Sequence, residues 1–335
     1  MVAEMKNRFA ALFVLFGAAP AAYAQTPELS LPIACALGKD CFIQQYVDDD
    51  PGPAAKDYRC GIATYEGHKG TDFRVLSVRA AEGGVPVLAS AAGSVKGVRD
   101  GMEDRLALTE QDRRLFTGRE CGNGVTIDHG NGWETQYCHM RRGSVKVREG
   151  DRVQAGAPLG LVGFSGDASF AHVHLSVRRN GKVVDPFLGE AVGGVCQTEA
   201  GAASQGLWAP ALREQLAYGD AAIIQTGFAD KPVTPIDMER GGITEPLPAS
   251  PALVFFARLI NLRPADRLRF TVEGPEAFKA SNESEPLDRA KAHYVGFAGK
   301  KRTGERWPSG LYKGAVEVVR AGAVVREAKA VLQLP

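Results

Sequence analysis

Short apolar stretches that alternate with polar residues run through most of the chain. A period of two places successive side chains on opposite faces of a strand. The alternation is plain at residues 268–272 and at residues 172–177. Glycine, proline and aspartate separate such stretches, and no Pro-free amphipathic segment of helical length occurs between residues 60 and 190. The pattern predicts an all-β chain with many turns.

The same pattern divides the chain into segments. We expect a signal peptide at residues 1–24, a lead-in at 25–59, a dense series of short strands at 60–190, a connector at 191–250 and an accessory domain at 251–335. The connector is rich in Ala, Gly and Pro and contains one short strand, residues 222–225. Several alternating strands in the last segment predict a small β-sandwich.

The first residues of the chain have the features of a secretory signal. Lys6 and Arg8 precede an apolar stretch at residues 9–19, and Ala22-Tyr23-Ala24 fits the small-x-small cleavage rule. The apolar stretch is short for a membrane-spanning helix, which disfavours an uncleaved anchor. We therefore expect an extracytoplasmic protein, periplasmic or secreted, with no membrane span after signal removal.

The charge balance argues against some classes of partner. The chain has 40 Lys and Arg against 39 Asp and Glu, a net charge of +1. Such a balance gives no reason to expect a nucleic acid or a membrane surface as partner. Three adjacent aspartates at residues 48–50 could suggest calcium, but their spacing does not match a calcium loop. We interpret them as a solvated turn.

Six cysteines follow the predicted signal, an even number that indicates disulfides in an oxidising compartment. Cys121 and Cys138 flank the turn signal His129-Gly130-Asn131-Gly132 almost symmetrically, so a hairpin would bring them within disulfide reach. Three connectivities remain open for the other four, Cys35, Cys41, Cys60 and Cys196. No C-x-x-C pair occurs, so a thiolate zinc site is disfavoured.

Four of the six histidines fall in three short motifs. These are His68-Lys69-Gly70-Thr71-Asp72, Tyr137-Cys138-His139-Met140 and His172-Val173-His174. Both imidazoles of the last motif emerge on one face of a half-buried strand. That arrangement suits a metal site, because imidazole is the commonest protein ligand for zinc. We interpret His129 as solvated and His293 as structural.

The residue types in these motifs fit a catalytic zinc site. Such a site needs three protein ligands and one open position for water. Two imidazoles and a carboxylate meet this requirement, and the metal lowers the pKa of bound water to about 7. Further imidazoles can take up or give protons, because their pKa lies near the working pH. The three motifs supply three ligands and two spare histidines, and the absence of His-Glu-x-x-His argues against a helix-based metalloprotease.

The central region resembles the lysostaphin or LytM type of zinc endopeptidases, which cut peptide bonds in bacterial cell-wall peptidoglycan. The resemblance rests on three motifs in the family's order: His-x-Gly-x-Asp, Tyr-x-His-(Leu or Met) and His-x-His. It spans roughly residues 61–187 and extends to the glycine-containing segments 150–156, 160–166 and 180–186. It implies a compact antiparallel β peptidase domain with a groove across its sheet.

The resemblance also implies roles for five residues. His68, Asp72 and His174 match the family's zinc ligands, so we expect one Zn²⁺ per chain. His139 and His172 match its two non-ligand active-site histidines. One of these is implied to activate the zinc-bound water, and the other to stabilise the oxyanion or to protonate the leaving amine. The sequence does not say which histidine does which.

The chain departs from the family pattern in several places. Ala168-Ser169-Phe170-Ala171 stands where Ser-Thr-Gly-Pro is usual, and Ser176 stands where an acid is common. Cys138 replaces a small residue, and the loop at residues 100–120 is longer than usual. These differences bear on substrate preference rather than on the metal site.

Three functional hypotheses follow. The first is a secreted zinc endopeptidase that acts on peptidoglycan stem or cross-bridge peptides. The second is a LytM-like non-catalytic regulator that binds or activates another cell-wall hydrolase. Domains of that kind have lost ligands, whereas none is lost here. In the third, the biological role depends on the C-terminal domain, which binds the wall or a protein partner. The residues of that domain do not indicate which ligand it binds.

Overall fold

The computed structural model describes residues 26–194, 206–219 and 221–335. The predicted signal peptide, Cys196 and part of the connector lie outside these residues. The described residues are mostly β, with 43% of them in strands and 6% in helices, which confirms the predicted fold class. Among the described residues, none of the helices has the length and apolar character needed to cross a bilayer.

The elements up to residue 194 form the first unit of the structure. Its strands are β1 Cys41–Gln45, β2 Thr71–Val75, β3 Pro86–Leu88, β4 Gly93–Arg99, β5 Asn123–Gly130, β6 Trp133–Met140, β7 Arg152–Val153, β8 Pro158–Leu161, β9 His172–Arg179, β10 Lys182–Asp185 and β11 Glu190–Ala191. Its helices are α1 Val78–Glu82 and α2 Glu110–Arg114. The main sheet has the antiparallel order β1-β2-β9-β6-β5-β4-β7, with β10 paired to β9 and β11 paired to β10. Strands β3 and β8 pair separately.

The lead-in is part of this unit. Strand β1 pairs with β2 at the edge of the main sheet, and Leu29, Ile33 and Tyr46 are buried in the same core as β9. The interpretation of residues 48–50 as a solvated turn is wrong for Asp48 and Asp49, which are buried. The Asp48 carboxylate accepts hydrogen bonds from the backbone N–H groups of Lys56 and Gly67, which lie in two neighbouring loops. These hydrogen bonds compensate its loss of water.

The strand that carries His172 and His174 is buried on both faces, not half-buried as predicted. Its aliphatic side chains enter the core of the unit. The other face is covered because the His68 ring lies against His174 and the Phe170 ring lies against His172, with ring centroids 4.9 and 4.3 Å apart. Loops on either side of the sheet therefore enclose the histidines.

Two disulfides are defined by residues within the described ranges. Cys121–Cys138 forms as predicted, with a Cα–Cα distance of 4.7 Å across the ends of β5 and β6. Cys35–Cys41 is the second disulfide. It excludes the two of the three open connectivities in which Cys35 and Cys41 have other partners. Both bonds are consistent with folding in an oxidising compartment.

Removing the Cys121–Cys138 bond is expected to destabilise the protein. The bond closes a loop between cysteines 17 residues apart, and Cys121→Ala with Cys138→Ala should lower the free energy of unfolding by about 3 kcal/mol. Urea denaturation of the oxidised proteins measures the change. The matched control is Cys35→Ala with Cys41→Ala, which opens a loop between cysteines only 6 residues apart and should cost less. A larger loss in the control would contradict the loop-entropy argument.

The remaining strands form two further sheets. They are β12 Ala222–Ala229, β13 Ala252–Leu262, β14 Arg267–Glu273, β15 Lys279–Glu283, β16 Lys291–Lys301, β17 Gly310–Arg320 and β18 Ala323–Leu334, with helix α3 Pro235–Arg240 and a short 3₁₀ helix Pro210–Leu212. The sheet orders are β12-β13-β16 and β15-β14-β17-β18. Phe255 of one sheet and Phe270 of the other lie in a shared core, as expected for a small β-sandwich.

The sandwich extends further toward the N-terminus than the sequence pattern indicates. Strand β12 falls in the predicted connector, yet it pairs along its length with β13 and so belongs to the sandwich. Its own alternation is weak, because only three of its eight residues are buried. The segment between β12 and β13 also contains helix α3, which Thr234 and Asp237 cap at its N-terminus.

A buried carboxylate on helix α3 joins the sandwich to the first unit. Glu239 accepts hydrogen bonds from Arg74 of β2, at 2.8 Å, and from Arg258 of β13. All three side chains are buried. Burial alone would raise the pKa of Glu239, but the charges of Arg74 and Arg258 outweigh it and hold that pKa below its usual value.

The lowered pKa of Glu239 makes the stability of the protein depend on pH. A depressed carboxyl pKa adds stability above the unfolded value of about 4.3, and that stability is lost as the pH falls through the folded value. Removing one partner of a buried pair costs about 3–5 kcal/mol, so we expect Glu239→Gln to lose that much at pH 7.

The loss should shrink as the pH falls from about 4.3 toward the lowered folded pKa, because the unfolded wild-type chain then gains a proton at Glu239 that the folded protein does not yet bind. His293, which accepts a hydrogen bond from Arg258, has its pKa lowered to about 3 by burial and by the Arg258 charge, so it stays neutral over most of this range. Urea denaturation of both proteins between pH 3.5 and 7 measures the difference. A difference that does not change with pH would contradict the assignment.

Candidate metal centre and neighbouring histidines

Three neighbouring strands place the motif residues on one face of the main sheet. The register of β2 against β9 sets Asp72 opposite His174 and Arg74 opposite His172. Directly opposite residues of an antiparallel pair project on the same face with their Cβ atoms about 5 Å apart. His68 lies in the loop just before β2, and His139 lies near the end of β6, the other neighbour of β9. The sheet therefore assembles residues that are up to 106 positions apart in the sequence.

Three of the predicted residues bring one potential ligand atom each to a common point. Nε2 of His68 lies 3.2 Å from Oδ1 of Asp72 and 3.1 Å from Nδ1 of His174. Nδ1 of His174 lies 2.8 Å from Oδ1 of Asp72. His68 and Asp72 are buried, and His174 is mostly so. This group could hold a metal ion.

The other ring nitrogen of each imidazole is already engaged. Nδ1 of His68 donates to the carbonyl oxygen of Tyr46 at 2.6 Å. The Ser176 hydroxyl donates to the carbonyl oxygen of Lys69, so its oxygen is left to accept from Nε2 of His174 at 3.0 Å. These bonds fix both tautomers with a lone pair directed at Asp72. In metal sites the ligating histidines donate their second nitrogen in the same way, so the neutral forms of both rings suit a bound cation.

The electrostatics of the group also favour a cation. Burial alone would lower the pKa of His68, but the Asp72 carboxylate outweighs it and raises that pKa above its usual value. Burial would likewise raise the pKa of Asp72, yet the neighbouring imidazoles, His68 first, hold it well below its usual range. The carboxylate is therefore ionised and draws positive charge into a buried site.

The glycine of the first motif is required by the position of His174. A Cβ atom on Gly70 would lie 2.5 Å from Nε2 of His174 and 2.6 Å from the carbonyl oxygen of Leu175. Real Cβ atoms do not approach other heavy atoms so closely. The imidazole thus lies directly over the backbone of the His-x-Gly-x-Asp segment, which explains the small residue between His68 and Asp72.

The other two motif histidines lie beside this group. Nδ1 of His139 donates to the carbonyl oxygen of Ser165 at 2.8 Å, and Nδ1 of His172 donates to that of Phe170 at 2.9 Å. Their rings are 4.5 Å apart. Nε2 of His172 is 3.6 Å from Oδ1 of Asp72. Burial lowers the pKa of both rings, so both are neutral near pH 7 and keep an unprotonated Nε2.

The backbone at His139 is held in an uncommon conformation. Its φ of 62° lies in the left-handed region, which few residues other than glycine adopt. Its N–H donates to the carbonyl oxygen of Cys121 at 2.8 Å, and its own carbonyl oxygen accepts from Gly163 at 3.1 Å. The Cys121–Cys138 disulfide therefore lies next to the residue that it helps to hold.

The remaining histidines lie outside the site. His129 is not solvated as interpreted: its nitrogens lie 2.8 Å from the carbonyl oxygen of Ala92 and 2.8 Å from the hydroxyl of Thr135. These bonds tie the β5–β6 hairpin to the segment before β4. His293 accepts from Arg258 and has a structural role. A further group, Cys35, Asp40 and Cys41, offers no thiolate, because the two cysteines are disulfide-bonded.

Several residues around the site were missed by sequence reasoning. Ser176 was noticed only as a departure from the family, and the structure shows that it orients the His174 ring. Phe170 occupies another departure, and its ring packs on His172. No sequence pattern pointed to Glu239. It is an acidic residue in a short helix, 68 residues after Ala171, whose N–H it accepts.

Comparison with known proteins identifies the class of the first unit. In this unit, an antiparallel sheet presents the His68, Asp72 and His174 group with His139 and His172 beside it. Residues 66–186 match the family model described as Peptidase family M23. Over these residues, the first unit is therefore similar to peptidase family M23.

Two named proteins are similar to this part of the chain. The DD-carboxypeptidase/endopeptidase Mpg of Neisseria meningitidis serogroup B is 34% identical over 127 residues, which cover 37% of this chain and 23% of that protein. The cell division protein DipM of Caulobacter vibrioides is 31% identical over 148 residues, which cover 41% of this chain and 21% of that protein. The chain thus spans less than a quarter of either relative. The catalytic domain of lysostaphin from Staphylococcus simulans is 22% identical, with a TM-score of 0.28, over 42% of this chain and 85% of that one.

Proposed function

We propose that this protein is a zinc endopeptidase that acts outside the cytoplasm and hydrolyses peptide bonds in peptidoglycan stem or cross-bridge peptides. The observation that carries the proposal is the convergence of His68, Asp72 and His174 on one point, with His172 and His139 beside it. The M23 family of the domain and the relatives named above support a peptidase of this substrate class. The disulfides support an oxidising compartment.

Zinc fits the donor set. A tetrahedral zinc ion with ligand bonds of about 2.0–2.1 Å holds its ligand atoms roughly 3.3 Å apart. The three donor atoms here are separated by 2.8, 3.1 and 3.2 Å. Two nitrogens and one carboxylate oxygen match the ligand types of catalytic zinc sites, which keep the fourth position for water.

We assign a role in hydrolysis to each of the five motif residues. His68, Asp72 and His174 would hold the ion, which supplies a water of lowered pKa and polarises the scissile carbonyl when bound. His172 and His139 are neutral, each with its Nδ1–H bonded to a carbonyl oxygen, and Nε2 of His172 lies 3.6 Å from Oδ1 of Asp72. One of them can accept the proton of the attacking water, and a proton must then pass to the leaving amine. Burial of these groups excludes bulk water and strengthens each electrostatic contact.

The test is mass spectrometry of muropeptides released from defined peptidoglycan by the purified full-length protein. We expect peptide-bond cleavage products, their loss in excess chelator, and their return when zinc is restored. Metal analysis should give about one zinc per chain, since the three donors form one site. Cleavage that persists in chelator would contradict the metal mechanism. Absence of cleavage with stimulation of another wall hydrolase would support the regulator hypothesis instead.

A further inference from the structure

A chain of contacts leads from the C-terminal sandwich to His172. Glu239, on helix α3, uses its two carboxylate oxygens differently. Oε1 accepts the backbone N–H of Ala171 at 3.0 Å, and Oε2 accepts from Arg74 and Arg258. Ala171 directly precedes His172. One buried carboxylate therefore connects the sandwich to the segment from which the histidine projects.

Phe170 provides a second connection between the same groups. The Arg74 guanidinium lies 4.8 Å from the centre of the Phe170 ring, and that ring packs on the His172 imidazole. The carbonyl oxygen of Phe170 accepts the Nδ1–H of His172, which sets the tautomer and the direction of Nε2. Phe170 thus orients His172 with both its ring and its carbonyl oxygen. Two residues in contact with Phe170, Arg74 and Ala171, are hydrogen-bonded to Glu239.

The sandwich is anchored at this point by Arg258 of β13. Besides Glu239, its guanidinium donates to the carbonyl oxygen of Leu76 at 2.7 Å and to Nε2 of His293 at 2.8 Å. Arg258 is 1% exposed, so these bonds are made away from water. Truncating a partner of such a network leaves an uncompensated charge, and the neighbouring segment must rearrange.

We propose that Glu239 is a positioning residue for His172, so that the docked C-terminal sandwich is needed for the full hydrolytic rate. The proposal rests on the proposed function. In this proposal the sandwich acts on the peptidase site through residues 168–171, which hold His172 in place. This is the segment in which the chain departs from the family motif. Glu239 does not face the metal group and takes no part in the chemistry itself.

The test is Glu239→Gln in the full-length protein. A glutamine has one acceptor oxygen, so it cannot serve both Ala171 and the two guanidinium groups. We expect kcat to fall by about tenfold or more, with KM and zinc content unchanged, as for loss of a group that orients an active-site residue. The matched control is Asp237→Ala, which removes the two hydrogen bonds that the Asp237 carboxylate accepts from Thr234 in the capping box of the same helix but leaves the contacts of Glu239 in place. It should lower the thermal midpoint while kcat stays within about twofold of the wild type.

An unchanged kcat in Glu239→Gln, or an equal fall in Asp237→Ala, would overturn the proposal. If Glu239→Gln does not fold, Phe170→Leu removes the aromatic contact with His172 while keeping an apolar side chain, and it too should lower kcat with little change in KM. An unchanged kcat in that variant would overturn the proposal.

A spectroscopic readout separates this inference from the proposed function. The ¹⁵N chemical shifts of the His172 ring report which nitrogen carries the proton, whether or not the protein cleaves peptides. We expect the wild type to show a single Nδ1–H tautomer and Glu239→Gln to show a mixture. Wild-type protein that cleaves nothing would refute the proposed function, whereas identical His172 shifts in both proteins would refute the positioning role.

Discussion

The Asp72→Ala variant is expected to lose its zinc and its hydrolytic activity together. Asp72 supplies the one carboxylate of the metal group, and its Oδ1 lies within 3.2 Å of the donor nitrogens of both His68 and His174. Without it, two neutral imidazoles remain, and the negative charge that attracts a cation is gone. Metal activation of water and carbonyl is worth several kcal/mol, so the rate should fall by at least about 1000-fold.

Muropeptide release and metal analysis on the same samples measure this prediction. The matched control is Asp128→Ala, an exposed aspartate in strand β5 of the same sheet, which should keep both zinc and activity. Circular dichroism checks that each variant is folded. Asp72→Ala protein that binds one zinc and retains most of its activity would show that the metal lies elsewhere.

The Gly70→Ala variant is expected to damage the site without altering any ligand. The added Cβ would lie 2.5 Å from Nε2 of His174 and 2.6 Å from a backbone oxygen of β9. The imidazole must then move away from Ser176 and from the other two ligands. Displacement of a ligand from its orienting partner costs about 10- to 100-fold in metal affinity or activity, and we expect a loss of at least that size.

Competition with a zinc-sensitive dye and the muropeptide assay measure the effect of Gly70→Ala. Gly97→Ala in strand β4 is the control, because a Cβ there meets nothing within 4 Å and its backbone is not left-handed. Zinc affinity should be unchanged in the control. Wild-type affinity in Gly70→Ala would mean that His174 is not held over the His-x-Gly-x-Asp segment.

Much of the first unit could be predicted because its signals are local. The alternation around His172, the turn between β5 and β6, and the paired cysteines each depend on residues close together in the sequence. The three motifs carry their chemistry in short segments. Local patterns of this kind survive folding because strand geometry fixes which side chains share a face.

Other features depended on contacts that no local pattern reports. Asp48 and Asp49 look like a solvated turn, but surrounding loops bury both, and backbone N–H groups of Lys56 and Gly67 donate to the Asp48 carboxylate. The sequence predicts a strand only at residues 222–225, and the full length of β12 and its place in the sandwich follow from its pairing with β13. His129 sits in a turn signal, yet both ring nitrogens are engaged. In each case a partner distant in sequence decides the environment.

The sequence by itself determined the β class of the chain, the Cys121–Cys138 pair and the candidate residues for chemistry. Only the tertiary structure decided how these residues are oriented. The tautomers of His68 and His174 are set by Tyr46 and Ser176, and Glu239 reaches Ala171 from helix α3. The physical reason is that residue type and spacing specify which groups are available, whereas hydrogen-bond direction and burial arise only when distant segments pack together.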